Sequence, residues 1–232
     1  MLCKIADLYV ELPGAGGMDA RCREYLAEGE ITPDIIIKEE EYSADRWKGL
    51  AREHLEYMDS GWLFYARLLR YGGLMLHSSA MELDGGAYLF SGPSGVGKST
   101  HTTLWQQEYP AARLFNDDKP ALRRIDGVWY AYGTPWAGKH GININMKVPL
   151  RGICFMRQGS ENSIRRLSSL EATAGIISQT MHRFRTEQGL DRMVELVDLL
   201  VREVPVYELT NRPEPAAAHL SHDTMIGVKN EN

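Results

Sequence analysis

The chain has 232 residues, with 26 Lys+Arg against 31 Asp+Glu, a formal net charge of −5 and 44% hydrophobic residues. That profile fits an ordinary globular protein of one domain, or one domain with a small appendage. Mild acidity argues against polyanion binding, so neither nucleic acid nor a membrane surface is expected as a partner.

Cys3, Cys22 and Cys154 are odd in number and widely spaced, without C-x-x-C, which indicates reduced thiols rather than a disulfide framework or a zinc site. No stretch approaches the roughly 18 apolar residues of a membrane span. Met1–Asp7 lacks the apolar core of a signal peptide, so a cytoplasmic location is expected.

Ile5, Leu8, Val10 and Leu12 are spaced for one half-buried strand over Ile5–Leu12. Pro13-Gly14-Ala15-Gly16-Gly17 breaks it. With no lysine and no complete G-x-G-x-x-G, these glycines read as a turn rather than a phosphate loop. Ile35-Ile36-Ile37 is a β-branched run, and Lys38-Glu39-Glu40-Glu41 a solvated turn. Ser43 is placed to cap a helix with Trp47, Leu50, Ala51, His54, Leu55 and Met58 on one face.

From Gly72 onward, strand and turn signals crowd together. Leu74–Glu82 and Ala87–Phe90 are predicted strands joined at Asp84-Gly85-Gly86. A helix is expected from Lys98 to about Tyr109, then a short strand at Leu114-Phe115. Leu122–Ile125 and Val128–Tyr132 flank Asp126-Gly127, a second hairpin signal. Ile153–Met156 reads as a short buried strand. Leu190, Met193, Val194, Val197 and Leu200 mark an amphipathic helix ending before Pro205, and Val206–Leu209 is the last strand.

The chemistry concentrates in Gly92-Pro93-Ser94-Gly95-Val96-Gly97-Lys98-Ser99, a full G-x-x-x-x-G-K-[ST] match between a predicted strand and a predicted helix. Glycines at this spacing let backbone N–H groups turn inward around an anion, and the helix N-terminus adds partial positive charge there. The pattern predicts a P-loop for ATP and Mg²⁺. In it Lys98 reaches the β- and γ-phosphates, the Ser99 hydroxyl ligates the metal, and the nucleotide-binding run extends from Gly92 to Thr100. Asn116-Asp117-Asp118 follows at the end of the next short strand. Two adjacent carboxylates there offer a metal ligand and a base for an attacking hydroxyl.

Taken together, Leu76-His77-Ser78-Ser79-Ala80, Tyr88–Thr100 and Asn116-Asp117-Asp118 resemble the HPr kinase/phosphorylase C-terminal domain. They are also similar to the nucleotide core of ATP-dependent phosphoenolpyruvate carboxykinase. The resemblance spans roughly residues 72–210. It implies that His77 lies near metal and γ-phosphate (the matching carboxykinase histidine is a metal ligand), that Asp117 is the general base, and that Asp118 ligates magnesium. Read alone, His77 in an apolar strand is more often a hydrogen-bonded core histidine.

The chain departs from both families. It is too short for a carboxykinase and lacks that family's lysine-bearing segment. Thr100-His101 stands where HPr kinases carry a glutamate. It is closer to short, stand-alone bacterial HPr-kinase-like proteins, some of which phosphorylate a serine of a precursor peptide and others small hydroxyl substrates.

Further candidates lie in loops. Gly133-Thr134-Pro135-Trp136-Ala137-Gly138-Lys139-His140-Gly141 offers Lys139 as a cation and Trp136 as a pocket wall, or is a structural loop. Arg157 is a candidate cation for the transferring phosphoryl, or a surface arginine. Met181-His182-Arg183-Phe184-Arg185 either lines an acceptor site or is a charged helix end.

The expectation is an α/β fold: a P-loop core with a mixed sheet over 72–225, a small α/β segment over 1–71 suited to acceptor recognition, and a frayed tail over 226–232. The expected activity is an ATP- and Mg²⁺-dependent kinase acting on a serine hydroxyl of a protein or peptide. The alternatives are a small-molecule kinase or a non-catalytic ATP-binding module. Homo-oligomers, as HPr kinases form, are left open.

Overall fold

A computed structural model describes residues 1–14, 16–43, 51–138, 140–180 and 187–227. Where one strand is predicted over Ile5–Leu12, the chain instead folds into a hairpin of β1 (Leu2–Ile5) and β2 (Leu8–Glu11), paired antiparallel. Ala6 and Asp7 form its two-residue turn with φ of 52° and 59°. Positive φ at both positions matches the twist of a tight hairpin. Neither residue is glycine, so the sequence carries no turn signal, and tertiary bonds hold the conformation. The Arg123 guanidinium donates to the Ala6 carbonyl, and Asp7 accepts from Tyr132 Oη at 2.8 Å and Lys147 Nζ at 2.7 Å.

After α1 (Asp19–Cys22), β3 (Ile35–Ile36) pairs parallel with β2 to complete a three-stranded sheet. α2 (Arg52–Leu68) starts after Ala51 and runs well past Met58. Trp47 and Leu50, expected on its face, lie outside the described residues. Ser43 does not cap this helix at its start: its backbone N–H donates to Asp59 Oδ2 at 2.8 Å. Gly61 admits a bulky neighbour, since a Cβ there would meet the Trp136 ring at 2.8 Å.

β4 (Gly73–Met75) and β5 (Ser78–Leu83) replace the single strand predicted over Leu74–Glu82. β5 pairs with β6 (Gly86–Ser91), and after α3 (Lys98–Glu108) also with β7 (Arg113–Asn116). β4 pairs instead with β8 (Ala121–Ile125), so the chain changes partner at Leu76-His77. β8 forms a hairpin with β9 (Val128–Tyr132). Both D-G turns are present, with φ of 51° and 73° at Asp84 and Gly85, and 49° and 82° at Asp126 and Gly127.

β10 (Lys147–Gln158) is far longer than the four-residue strand predicted. Its first part pairs antiparallel with β9. Past an irregularity between Leu150 and Gly152 it runs parallel to β6 and, further on, to β12 (Val206–Asn211). β11 (Ser163–Arg166) pairs with β12. The result is a curled mixed sheet in the order β4-β8-β9-β10-β6-β5-β7, with β12 and β11 attached at β10. The mixed α/β class is as expected.

Successive side chains of β6 point to opposite faces. Ala87 and Leu89 join Met193, Leu196, Val197 and Leu200 of α5 (Glu187–Glu203) in one core. Tyr88 and Phe90 join Trp105 of α3 and Ala218 and Met225 of α6 (Pro215–Ile226) in another. α4 (Ser169–Gln179), absent from the predicted elements, is capped reciprocally by Ser168 and Glu171 in the S-x-x-E pattern. α6 runs to Ile226, the first residue of the tail expected over 226–232, and residues 228–232 lie outside the described residues. Among the described residues, no helix is long and apolar enough to cross a membrane.

Candidate active site

The glycine-rich loop joins β6 to α3, the setting its motif requires. Gly92, Gly95 and Gly97 have φ of 143°, 82° and 107°, values that side chains rarely tolerate. Gly97 stands at the helix start with no side-chain cap. The first N–H groups of α3 therefore remain available beside the loop. Lys98 folds across it, Nζ donating to the carbonyls of Gly92 at 2.9 Å and Pro93 at 3.3 Å. Burial lowers the Lys98 pKa below the ordinary lysine value, with Asp118 pulling the other way. Ser99 and Thr100 are exposed on the first turn of α3. Beside the loop opens a cleft of about 830 Å³, which Gly92–Val96, Met156, Arg157 and Gln179 help to line. That volume suits a nucleotide-sized ligand.

The double aspartate is presented by a built turn. Asn116, wholly buried at the end of β7, accepts through Oδ1 from the backbone N–H of Asp118 at 3.2 Å and Lys119 at 2.9 Å. Its Nδ2 donates to the Thr134 carbonyl at 3.1 Å. The Lys119 carbonyl accepts from Tyr65 Oη and from Thr134 Oγ1. Asp117 Oδ1 accepts from the Gly138 N–H at 2.7 Å.

Asp118 Oδ1 lies 3.2 Å from His77 Nε2, and its other oxygen pairs with the Lys119 ammonium, which also donates to Tyr57 Oη at 3.1 Å. Burial alone would raise the Asp118 pKa, but His77 and Lys119 outweigh it and hold it at about 2. Burial likewise pulls Lys119 down, and Tyr57 and Asp118 outweigh that to raise it. The pair is a carboxylate and an ammonium at neutral pH.

His77 sits at the break between β4 and β5. Its Nδ1 lies 3.2 Å from Gln179 Oε1, and its backbone N–H donates to the Gln179 carbonyl at 2.8 Å. Both ring nitrogens thus face protein partners, and the imidazole orients Asp118.

The fold therefore gathers Lys98, His77 and Asp118, with Asp117 one residue away on the loop side. Arg157 lines the cleft but is exposed and paired with Glu208 at 2.9 Å, an acid shared with Arg165. Trp136 needs correction as a pocket wall. It is fully buried, stacked on Phe64 at 4.8 Å, with Nε1 donating to Ser60 Oγ at 3.1 Å. The β9 turn directs it inward, where it fills the core beside Gly61. Lys139 and Met181–Arg185 lie outside the described residues.

Lys119 and Gln179 carry no role in the sequence motifs, and Asn116 stands in its motif without one. Asn116 was legible as a turn-former; Gln179 carries no local signal, because it meets His77 from 102 positions away.

The oxygens of Ser99 and Asp118 are hard donors that fit Mg²⁺. Among the described residues no group of three or more His, Cys, Asp or Glu is arranged to hold a metal ion. A single carboxylate and a hydroxyl suit Mg²⁺, which keeps waters and takes substrate phosphates as its remaining ligands.

The family described as SynChlorMet cassette protein ScmC matches residues 51–212, more than half of the chain. No curated protein matches it. Among solved structures, that of the Hpr(Ser) kinase/phosphatase from Coxiella burnetii is similar at a TM-score of 0.41 and 12% identity, covering 67% of this chain and 92% of that one.

Proposed function

The chain belongs to the SynChlorMet cassette protein ScmC family, and from that premise and its site we propose an ATP-dependent kinase that phosphorylates a hydroxyl, most simply a serine of a protein or peptide. The observation that carries the reading is the Asn116 turn. It sets Asp118, ionised and tied to His77, within electrostatic reach of Lys98, and beside it the Gly138 N–H holds Asp117 through Oδ1. A module that merely senses nucleotide has no use for a second positioned carboxylate.

Mg²⁺ held by Ser99 and Asp118 would supply charge neutralisation on the phosphates. The residues do the rest. The loop amides and Lys98 bind the triphosphate and offset its charge, with Lys98 leaving its own loop carbonyls to do so. The serine oxygen attacks the γ-phosphorus, and its proton passes to Asp117 Oδ2. The bond from the γ-phosphorus to the bridging oxygen breaks, and ADP departs with that electron pair.

The test is incubation with Mg-ATP and serine-containing peptides, reading the mass gain of one phosphate. Lys98→Met is expected to abolish transfer. Asp117→Asn should lower it by about 10²- to 10⁴-fold, the usual worth of a general base, while leaving ATP affinity unchanged. Undiminished transfer by Asp117→Asn would remove the base from the mechanism.

A further inference from the structure

A second cavity, of about 360 Å³, lies between the N-terminal segment and the Asp117–Lys119 turn. Arg21 of α1, His54 and Tyr57 of α2, Asp118, Lys119 and Gly138 line it. Among the described residues the two cavities share no lining residue, yet hydrogen bonds connect them: Asp118 of the smaller reaches His77, and His77 reaches Gln179 of the larger. Gly138, which holds Asp117, lies on the wall of the smaller one. The proposed base thus stands at the edge of a space separate from the cleft beside the glycine loop.

The charge of that wall is specific. Lys119 is matched by Asp118. Arg21 is not matched: its Nη1 donates to the Ala137 carbonyl at 3.2 Å and its guanidinium lies 4.8 Å from the Tyr57 ring centroid. No carboxylate among the described residues pairs with it. Tyr57 is itself fixed, donating to the same Ala137 carbonyl at 2.8 Å. A guanidinium held over a ring, with one hydrogen bond among the described residues, keeps N–H donors free to take a carboxylate through two parallel bonds. His54 is exposed on the same wall.

We propose that this cavity is the acceptor subsite, and that Arg21 selects a serine with a carboxylate neighbour, in an acidic peptide segment. The inference rests on the kinase reading above. The serine hydroxyl enters towards Asp117, and the neighbouring carboxylate of the peptide docks on Arg21. Phosphoryl transfer is the step already written, with ATP as donor and Asp117 as proton acceptor.

The test uses the full chain and three serine peptides differing only in flanking residues, which are Asp/Glu, Ala/Gln or Lys, with free L-serine as a fourth arm. Peptide binding is measured by fluorescence anisotropy and transfer by mass. The acidic peptide should bind about tenfold or more tighter than the neutral one, the usual worth of a charge-assisted hydrogen bond. Arg21→Gln should erase that preference through KM, with the KM for ATP unchanged. Arg21→Lys should restore part of it, and Arg21→Glu should turn preference towards the Lys-flanked peptide.

Equal use of acidic and neutral peptides, or an unchanged preference in Arg21→Gln, overturns the subsite. Phosphorylation of free serine at a rate indifferent to Arg21 overturns the peptide as its occupant. Arg21-dependent binding of the acidic peptide without any transfer leaves the subsite standing and overturns the kinase. Neither binding nor transfer overturns both.

Discussion

Asn116 does at the scale of one residue what the two aspartates need from their surroundings. Its buried amide replaces backbone partners for Asp118 and Lys119 and ties the turn to Thr134. Asn116→Ala leaves those N–H groups and the Thr134 carbonyl without these bonds. An unmade buried hydrogen bond costs about 1–3 kcal/mol, so chemical denaturation should register a loss of that order. Transfer should fall further than stability does, with ATP affinity retained through Lys98. His77→Gln provides a second check on positioning. It removes the imidazole that joins Asp118 to Gln179, and it should lower kcat with little change in ATP binding; an unchanged kcat would make His77 a structural residue.

At this scale the sequence spoke clearly for Gly92–Ser99 and Asn116–Asp118, because their chemistry is carried by neighbours along the chain. It was silent about Gln179, which meets His77 from 102 positions away, and about Tyr57, which meets Lys119 from 62. A side chain's partner across the fold leaves no mark on its own sequence neighbours.

Among the elements, α2 owes its place to a missing side chain. A mid-helix glycine costs about 0.5–1 kcal/mol relative to alanine, so Gly61→Ala would stabilise an exposed helix. Here the added Cβ would fall 2.8 Å from the Trp136 ring, which is fully buried and cannot swing away. Overpacking of this kind costs about 1–3 kcal/mol and outweighs the propensity gain. A lowered Tm in Gly61→Ala is therefore expected.

The β1–β2 hairpin is held from outside as well. Burial would raise the Asp7 pKa, but bonds from Lys147 and Tyr132 outweigh it and leave it lowered. A carboxylate whose folded pKa lies below its unfolded one contributes stability above the unfolded value, and loses it as pH falls through the folded value. Asp7→Asn should thus be less stable than the parent near neutral pH. The gap in denaturation midpoint should close as pH drops below about 4. A gap that persists in strong acid would show that charge on Asp7 is not what docks the hairpin.

Over the whole molecule, residues 1–71 and the later chain share one core. Ile5, Val10, Tyr25 and Phe64 pack with Ala121, Tyr132 and Trp136. A fragment of 72–232 would expose Tyr132 and Trp136 as an apolar patch. It should aggregate or bind a hydrophobic dye where the full chain does not. A soluble, cooperatively folding fragment would contradict the shared core.

The sequence by itself determined the mixed α/β class, the two D-G hairpins, the glycine loop opening a helix, and the double aspartate after it. Each depends on local backbone preference or on motif spacing, and both are written within a few residues. Tertiary structure alone decided the rest. It set the Ala6-Asp7 turn, the division of Leu74–Glu82 at His77, the length of β10 and the inward course of Trp136. It also formed the cavity beside Arg21, where α1, α2 and the Asp117–Lys119 turn converge. Those features depend on which distant surfaces meet, and packing free energy there exceeds the weak preferences that short-range patterns express.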